Sequence, residues 1–236
     1  SPGVVGTHMV RAFREKGFAV RCLARESGRE EDLPAECAET ARGDVTDLDS
    51  LKMAMEGIET VVHLVGIIRE RGRGTFERIH VEGTANVIEA AKARGVRRII
   101  YMSALGARPD GIVRYQRTKW QAEELVRNSG LEWIVARPSV IIGEGGEFTR
   151  TLTGLVLIPP VIPVIGNGRY RLQPLYVADL AHAFVAMLCD DKKWNQTYEF
   201  GGPQQLTFNR MLDIAREVLR VRKPRIYLPK LLMKPA

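Results

Sequence analysis

Tyr115 and Lys119 stand four residues apart in the stretch YQRTK, inside a segment whose periodicity predicts a helix over residues 114–130. Side chains at i and i+4 share one helix face, so phenol and ammonium can act as a pair. A tyrosine is a poor base at its ordinary pKa of about 10, and a neighbouring ammonium lowers that value. The lysine can at the same time hold a ribose hydroxyl. Ser103 closes the apolar run before this helix, twelve residues ahead of Tyr115. There its hydroxyl would orient a substrate oxygen. Together the three make a proton relay for carbonyl–alcohol interconversion. A tyrosine and a lysine at this spacing also arise by chance. What singles this pair out is its placement, with a serine at a strand's carboxyl end and the tyrosine opening the next helix.

Three further stretches carry residues suited to a nucleotide. The chain opens SPGVVGTHMVRAF, with Gly3 and Gly6 flanking Val4 and Val5 just before an amphipathic helical pattern. A helix amino terminus presents free N–H groups and the positive end of its dipole, and so accepts a pyrophosphate. Two glycines three apart describe an ordinary turn before a helix equally well. Arg25, in LARES, ends a strand and is followed by Glu26. An arginine there pairs with a 2′-phosphate, whereas a carboxylate holds both ribose hydroxyls; the order favours NADP(H) over NAD(H), and a surface arginine is the other reading. Asp44, in ARGDVTD, either accepts from an adenine amine or serves as a turn or helix cap. His63 reads as a core residue, and His182 has no partner at metal spacing. No metal site is expected. Ser139, in RPSVI, lacks the glycine-flanked elbow of a hydrolase nucleophile.

The elements that must position these groups alternate. Near-continuous Val/Ile/Leu runs predict strands over residues 18–25, 60–67, 96–104 and 131–141, and helical patterns cover residues 7–17, 47–58, 76–95 and 114–130. That alternation predicts an α/β protein with a parallel sheet covered on both faces, and such sheets bind ligands beyond their strands' carboxyl ends. After residue 142 glycine and proline become frequent, before a helix at 179–190, a strand at 197–200 and a helix at 207–220. The expected organisation is a dinucleotide-binding domain over residues 1–142 and a mixed region over 143–236. Part of that region, about 169–200, completes the sheet, and the rest forms a substrate or partner lobe.

Composition narrows the classes. The net charge is +7, from 35 basic and 28 acidic residues, densest at residues 69–78 and 93–98 and without interleaved aromatics. Nucleic acid is therefore not the expected partner, and a phosphorylated ligand suits the bias. Cys22, Cys37 and Cys189 lie far apart, which predicts no disulfide and no zinc site, with Cys22 and Cys189 buried. The longest apolar run, residues 154–166, is too short to span a membrane and holds three prolines. A soluble cytoplasmic protein is expected.

In this order the pieces resemble the short-chain dehydrogenase/reductase superfamily, in its extended or atypical branch. ARGDVTD is similar to the family's adenine-contacting loop, with Asp44 and Val45. VVHLVGI resembles the strand flanking the cofactor, with Leu64, Val65 and Gly66 lining it. VEGTANVIEAAKARGVRRIIYMSALGA, YQRTKWQAEELVRNSGLEWIVARPSVIIG and LQPLYVADLAHAF look like later family blocks. Bacterial proteins like the NADPH-binding accessory subunit of respiratory complex I are the nearest branch; NmrA-like proteins and sugar-nucleotide epimerases and dehydratases stand further off.

The resemblance implies a Rossmann-type doubly wound sheet, with Gly3, Val4, Val5 and Gly6 at the pyrophosphate and Pro138 beside the nicotinamide. The family motif TGATGFVG is met only by its last two glycines, so the first strand is expected to be missing ahead of Ser1. His80 stands where many relatives carry an asparagine. The implied activity is an NAD(P)-dependent oxidoreductase or an epimerase/dehydratase-like enzyme acting on a small molecule through Ser103, Tyr115 and Lys119. The alternative is a cofactor-binding accessory or assembly protein contacting a membrane complex, with LVLIPPVIPVIG as an acyl pocket or contact surface.

Overall fold

The computed structural model describes residues 3–25, 37–158 and 160–229; Ser1, Pro2 and Glu26 lie outside them. In chain order the elements are α1 (Gly3–Glu15), β1 (Arg21–Ala24), β2 (Glu39–Arg42), α2 (Leu48–Ala54) and β3 (Thr60–His63). A π-helical turn (Glu77–Glu82) then runs into α3 (Gly83–Ala93), followed by β4 (Arg98–Met102), α4 (Arg114–Arg127), β5 (Glu132–Pro138) and β6 (Ile141–Ile142). Next come α5 (Glu147–Leu157), β7 (Ile162–Ile165), β8 (Arg171–Leu172), β9 (Leu175–Tyr176) and α6 (Val177–Leu188). The described chain ends with β10 (Gln196–Phe200), β11 (Leu206–Thr207), α7 (Phe208–Leu219) and β12 (Arg225–Leu228).

Two compact units result, one of Ser1–Pro138 with Ala178–Phe200, the other of Ser139–Val177 with Gly201–Ala236. The first is an α/β fold of the Rossmann type. Its strands are parallel throughout, in a four-stranded sheet of order β10-β5-β4-β3 and a β1–β2 pair. Among the described residues β1 and β3 are not hydrogen-bonded to each other. Helix α1 stops in a Schellman motif: Gly17 takes φ +90°, Phe18 N–H donates to Phe13 O, and the two phenylalanine rings meet edge to face. Ala90 and Ala91 are fully buried on α3, where small side chains let the helix lie close over Ile99 and Tyr101. Strand β2 was not expected. Its sequence, ETAR, is polar and largely exposed, so no apolar run marks it.

The second unit packs α5 and α7 against the parallel β7–β12 pair around Val156, Ile162, Val164, Phe208 and Leu212. The β6–β9 and β8–β11 pairs complete it.

Cys22 is buried as expected, but the expectations of no disulfide and of a buried Cys189 fail. Cys22 and Cys37 form a disulfide, and Cys189 is free and exposed. The parallel pairing of β1 with β2, Arg21 opposite Glu39, sets the segment before β2 beside β1. That leaves the two Cα atoms 6.2 Å apart, within disulfide reach. A sequence separation of 15 predicts that reduction lowers the unfolding free energy by roughly 3 kcal/mol through the chain entropy regained on unfolding. Denaturant titrations with and without dithiothreitol check this, and Cys22→Ser should abolish the response. Coincident curves for the native chain would refute it.

Candidate cofactor and proton-transfer site

Because β3, β4 and β5 are parallel and in register (His63 opposite Tyr101, Met102 opposite Ala136), their carboxyl ends share one sheet edge. Beyond it, Ser103 N–H donates to Ala136 O and Leu105 N–H to Pro138 O, which fixes buried Pro138 at the edge. Helix α4 starts at this end, with Tyr115 in its first turn and Lys119 one turn further on.

Lys119 is 3% exposed. Its ammonium donates to Met102 O at 2.7 Å and lies 4.3 Å from the Tyr101 ring centroid. Among the described residues no carboxylate pairs with it. Burial lowers its pKa from 10.5 to about 7, with Glu123 pulling the other way. A Cβ built on Gly66 would come 3.6 Å from His80 Nε2 and 3.7 Å from Lys119 Nζ, so the two side chains converge on this glycine. The Tyr115 ring meets those of Phe76 and His80 edge to face, at 5.8 and 5.5 Å. The phenol pKa is raised, not lowered as an adjacent ammonium would make it. Burial is the cause. Lys119 donates to Met102 O and lies over the Tyr101 ring.

Ser103 is placed differently from expectation. Its hydroxyl donates to Glu123 Oε1 at 2.5 Å, and that carboxylate also accepts from Arg127 and from two nitrogens of Arg137. The serine thus belongs to a buried ion network at the strand ends, and its single proton is not directed at Tyr115.

His63 is buried with Nε2 3.1 Å from Thr84 Oγ1, and burial with nearby Lys119 lowers it to about 3. His80 is fully buried, between Ile67 and Thr118.

Gly3 opens α1 with φ +64° and open space where a Cβ would stand, while Gly6 is buried, with Val4 and Val5 between. Arg25 is exposed at the end of β1, its carbonyl accepting from Arg42. Asp44 Oδ1 accepts from Thr46 N–H and Oγ1, an Asx turn, and the cap of α2 is Asp47 instead. Val45 is buried against Gly83, and Leu64, half-buried, and Val65, exposed, lead from β3 to Gly66. The structure therefore brings Lys119, Tyr115, Gly66 and His80 together and leaves Ser103 in the neighbouring network. A dinucleotide fits this arrangement. Gly66 adds no side chain beside His80 and Lys119, and among the described residues buried Lys119 has no carboxylate salt-bridge partner.

Residues 1–154 match the NAD(P)H-binding family, and the chain belongs to it. NADH dehydrogenase (ubiquinone) 1 alpha subcomplex subunit 9, mitochondrial, of Arabidopsis thaliana is 31% identical over 225 residues, covering 92% of this chain and 56% of that protein. Ceramide reductase of Caulobacter vibrioides is 31% identical over 184 residues, 78% of this chain and 57% of its own length. The chain thus spans a little over half of these relatives. The crystal structure of UDP-glucose 4-epimerase with UDP-glucose from Thermotoga maritima shares the fold, with a TM-score of 0.80 at 21% identity over 96% of this chain and 83% of that one. Among the described residues no helix is long and apolar enough to cross a membrane.

Proposed function

We propose that this chain is an NADP(H)-preferring oxidoreductase or epimerase/dehydratase-like enzyme whose proton transfer runs through Tyr115 and Lys119. The observation that carries the reading is a buried lysine with no carboxylate partner among the described residues, converging with His80 on a bare glycine one helical turn from a tyrosine. Nicotinamide, when bound, gives or takes the hydride. Lys119 holds a ribose hydroxyl, and its ammonium favours the tyrosinate once it turns from Met102 O. Tyr115 then takes the proton of a substrate alcohol, or returns it to a carbonyl oxygen. Ser103, engaged by Glu123, supports the strand ends. Arg25 supplies the 2′-phosphate contact and Gly3 and Gly6 admit the pyrophosphate.

A second reading, a cofactor retained for structure, has one specific support. The Arabidopsis relative carries the name of a subunit of a larger assembly. The two readings separate on Tyr115→Phe, which leaves cofactor affinity unchanged in both and abolishes turnover only in an enzyme. Fluorescence titration should show NADPH binding about tenfold or more tighter than NADH. Arg25→Ala should erase that margin, as expected for loss of a charge-assisted bond of about 1.5–3 kcal/mol. Equal affinity for both cofactors in the native chain would remove the role of Arg25; no affinity for either would remove the reading itself.

A further inference from the structure

Resting on that reading, we infer that His80 is a positioning residue that clamps the Gly66–Ile67 backbone to the first turns of α4 and so sets the cofactor-facing geometry of Lys119 and Tyr115.

The clamp begins in the chain's path. Gly83 N–H bonds to Arg78 O, five residues back, so the turn before α3 has π register. The extra residue per turn sends the imidazole inward, and π turns recur at functional sites. Gly83 itself lies tight on Val45, where a Cβ would stand 3.0 Å from Val45 Cγ2.

Hydrogen bonds then hold both ring nitrogens. Thr118 Oγ1 lies 3.1 Å from Arg114 O and 3.2 Å from Tyr115 O. His80 Nδ1 lies 3.0 Å from the same hydroxyl oxygen. Nε2 lies 3.0 Å from both the amide nitrogen and the carbonyl oxygen of Ile67, so either neutral tautomer keeps a bond to that residue. The imidazole is neutral, because burial with neighbouring Lys119 lowers the ring to about 3 while the bond to Ile67 pulls the other way. The ring also stacks on Phe76 and abuts Tyr115. One side chain thus ties the loop after β3, the start of α4 and the catalytic tyrosine together.

The two bonds separate experimentally. Glutamine at 80 places an amide near Nε2 and can reach Ile67; asparagine places one near Nδ1 and can reach Thr118 only. NADPH affinity should stay within about threefold in His80→Gln and fall about tenfold or more in His80→Asn and His80→Ala, as for loss of one buried hydrogen bond. Thr118→Val, which keeps the Ile67 bond, should resemble the glutamine variant.

The second readout needs no cofactor. With lysines methylated in ¹³C, NMR gives the Lys119 midpoint in the free protein, where Glu123, His80, His63, Tyr101 and Tyr115 face it. It should stay near its native value in His80→Gln and move upward by about one unit or more in His80→Ala, as water reaches the ammonium. If all four variants lose melting temperature while affinity and Lys119 midpoint stay native, His80 is a packing residue and the inference fails. Should the alanine variant not fold, the glutamine–asparagine split decides. A native chain that binds no NADPH but whose Lys119 midpoint shifts as described would refute the proposed function and uphold the clamp.

Discussion

Glu123→Leu should destabilise the Rossmann-type unit by roughly 3–5 kcal/mol, the cost of stranding buried partners of a removed charge. The carboxylate is fully buried and satisfied from four directions. Ser103 and Arg137 Nε bind one oxygen, at 2.5 and 2.9 Å, and Arg137 Nη2 and Arg127 Nη2 bind the other, at 2.7 and 2.6 Å. Side chains of Arg127 and Arg137 are only 21% and 16% exposed, so water cannot replace the lost acceptor fully. Arg137 keeps a longer contact to Glu199 and Arg127 keeps Glu124, which limits the damage. Both guanidinium groups lie over Trp120, so its fluorescence follows unfolding at this network. Ser103→Ala removes one donor and leaves the carboxylate three; about 1 kcal/mol is expected. Adding Arg137→Met to Glu123→Leu should recover part of the loss, because an apolar replacement of both partners strands less charge. A loss below about 1 kcal/mol for Glu123→Leu would show that the network is not what holds the strand ends.

How far this site could be read from sequence depends on whether its determinants are local. The strands β3, β4 and β5 announce themselves as Val/Ile/Leu runs because both faces are buried, whereas polar ETAR gives no such sign of β2. Tyr115 and Lys119 are legible because residues four apart share a helix face. Glu123 obeys the same rule from Lys119, yet in WQAEEL it reads as part of a solvated face, because nothing local reveals Arg137 arriving from β5. The fate of Ser103 follows from that omission. The raised pKa of Tyr115 is illegible for a similar reason: the ammonium is local, but the burial that outweighs it is tertiary. His80 is visible as an unusual residue, but its inward aim depends on a single-residue register change that leaves the apolar pattern intact. Cys37 returns to Cys22 across an excursion with no spacing rule to predict it.

Lys119→Met should make the cofactor-free protein more stable near neutral pH, by an amount on the order of 5 kcal/mol. The figure follows from a pKa lowered from 10.5 to about 7, at about 1.4 kcal/mol per unit. The sign follows from proton binding. Below pH 10.5 the unfolded lysine holds a proton, while the folded one takes it up only near pH 7. Wild-type stability therefore rises with pH across this window, and below it the full desolvation penalty is present. Methionine fills similar space over the Tyr101 ring without a charge. Its advantage should be greatest at pH 7 and below and vanish as pH approaches 10.5, which denaturant unfolding of both proteins from pH 6 to 11 measures. A difference independent of pH would show that Lys119 is hydrated and not buried as a charge. The same lysine explains why such a penalty would be retained. If it must be protonated to hold the ribose hydroxyl, dinucleotide binding takes up a proton, and affinity in the native chain falls up to about tenfold per pH unit above 7. In Lys119→Met, affinity should be weak and flat over the same range, so a side chain that destabilises the empty fold is the one that makes the site respond to its ligand.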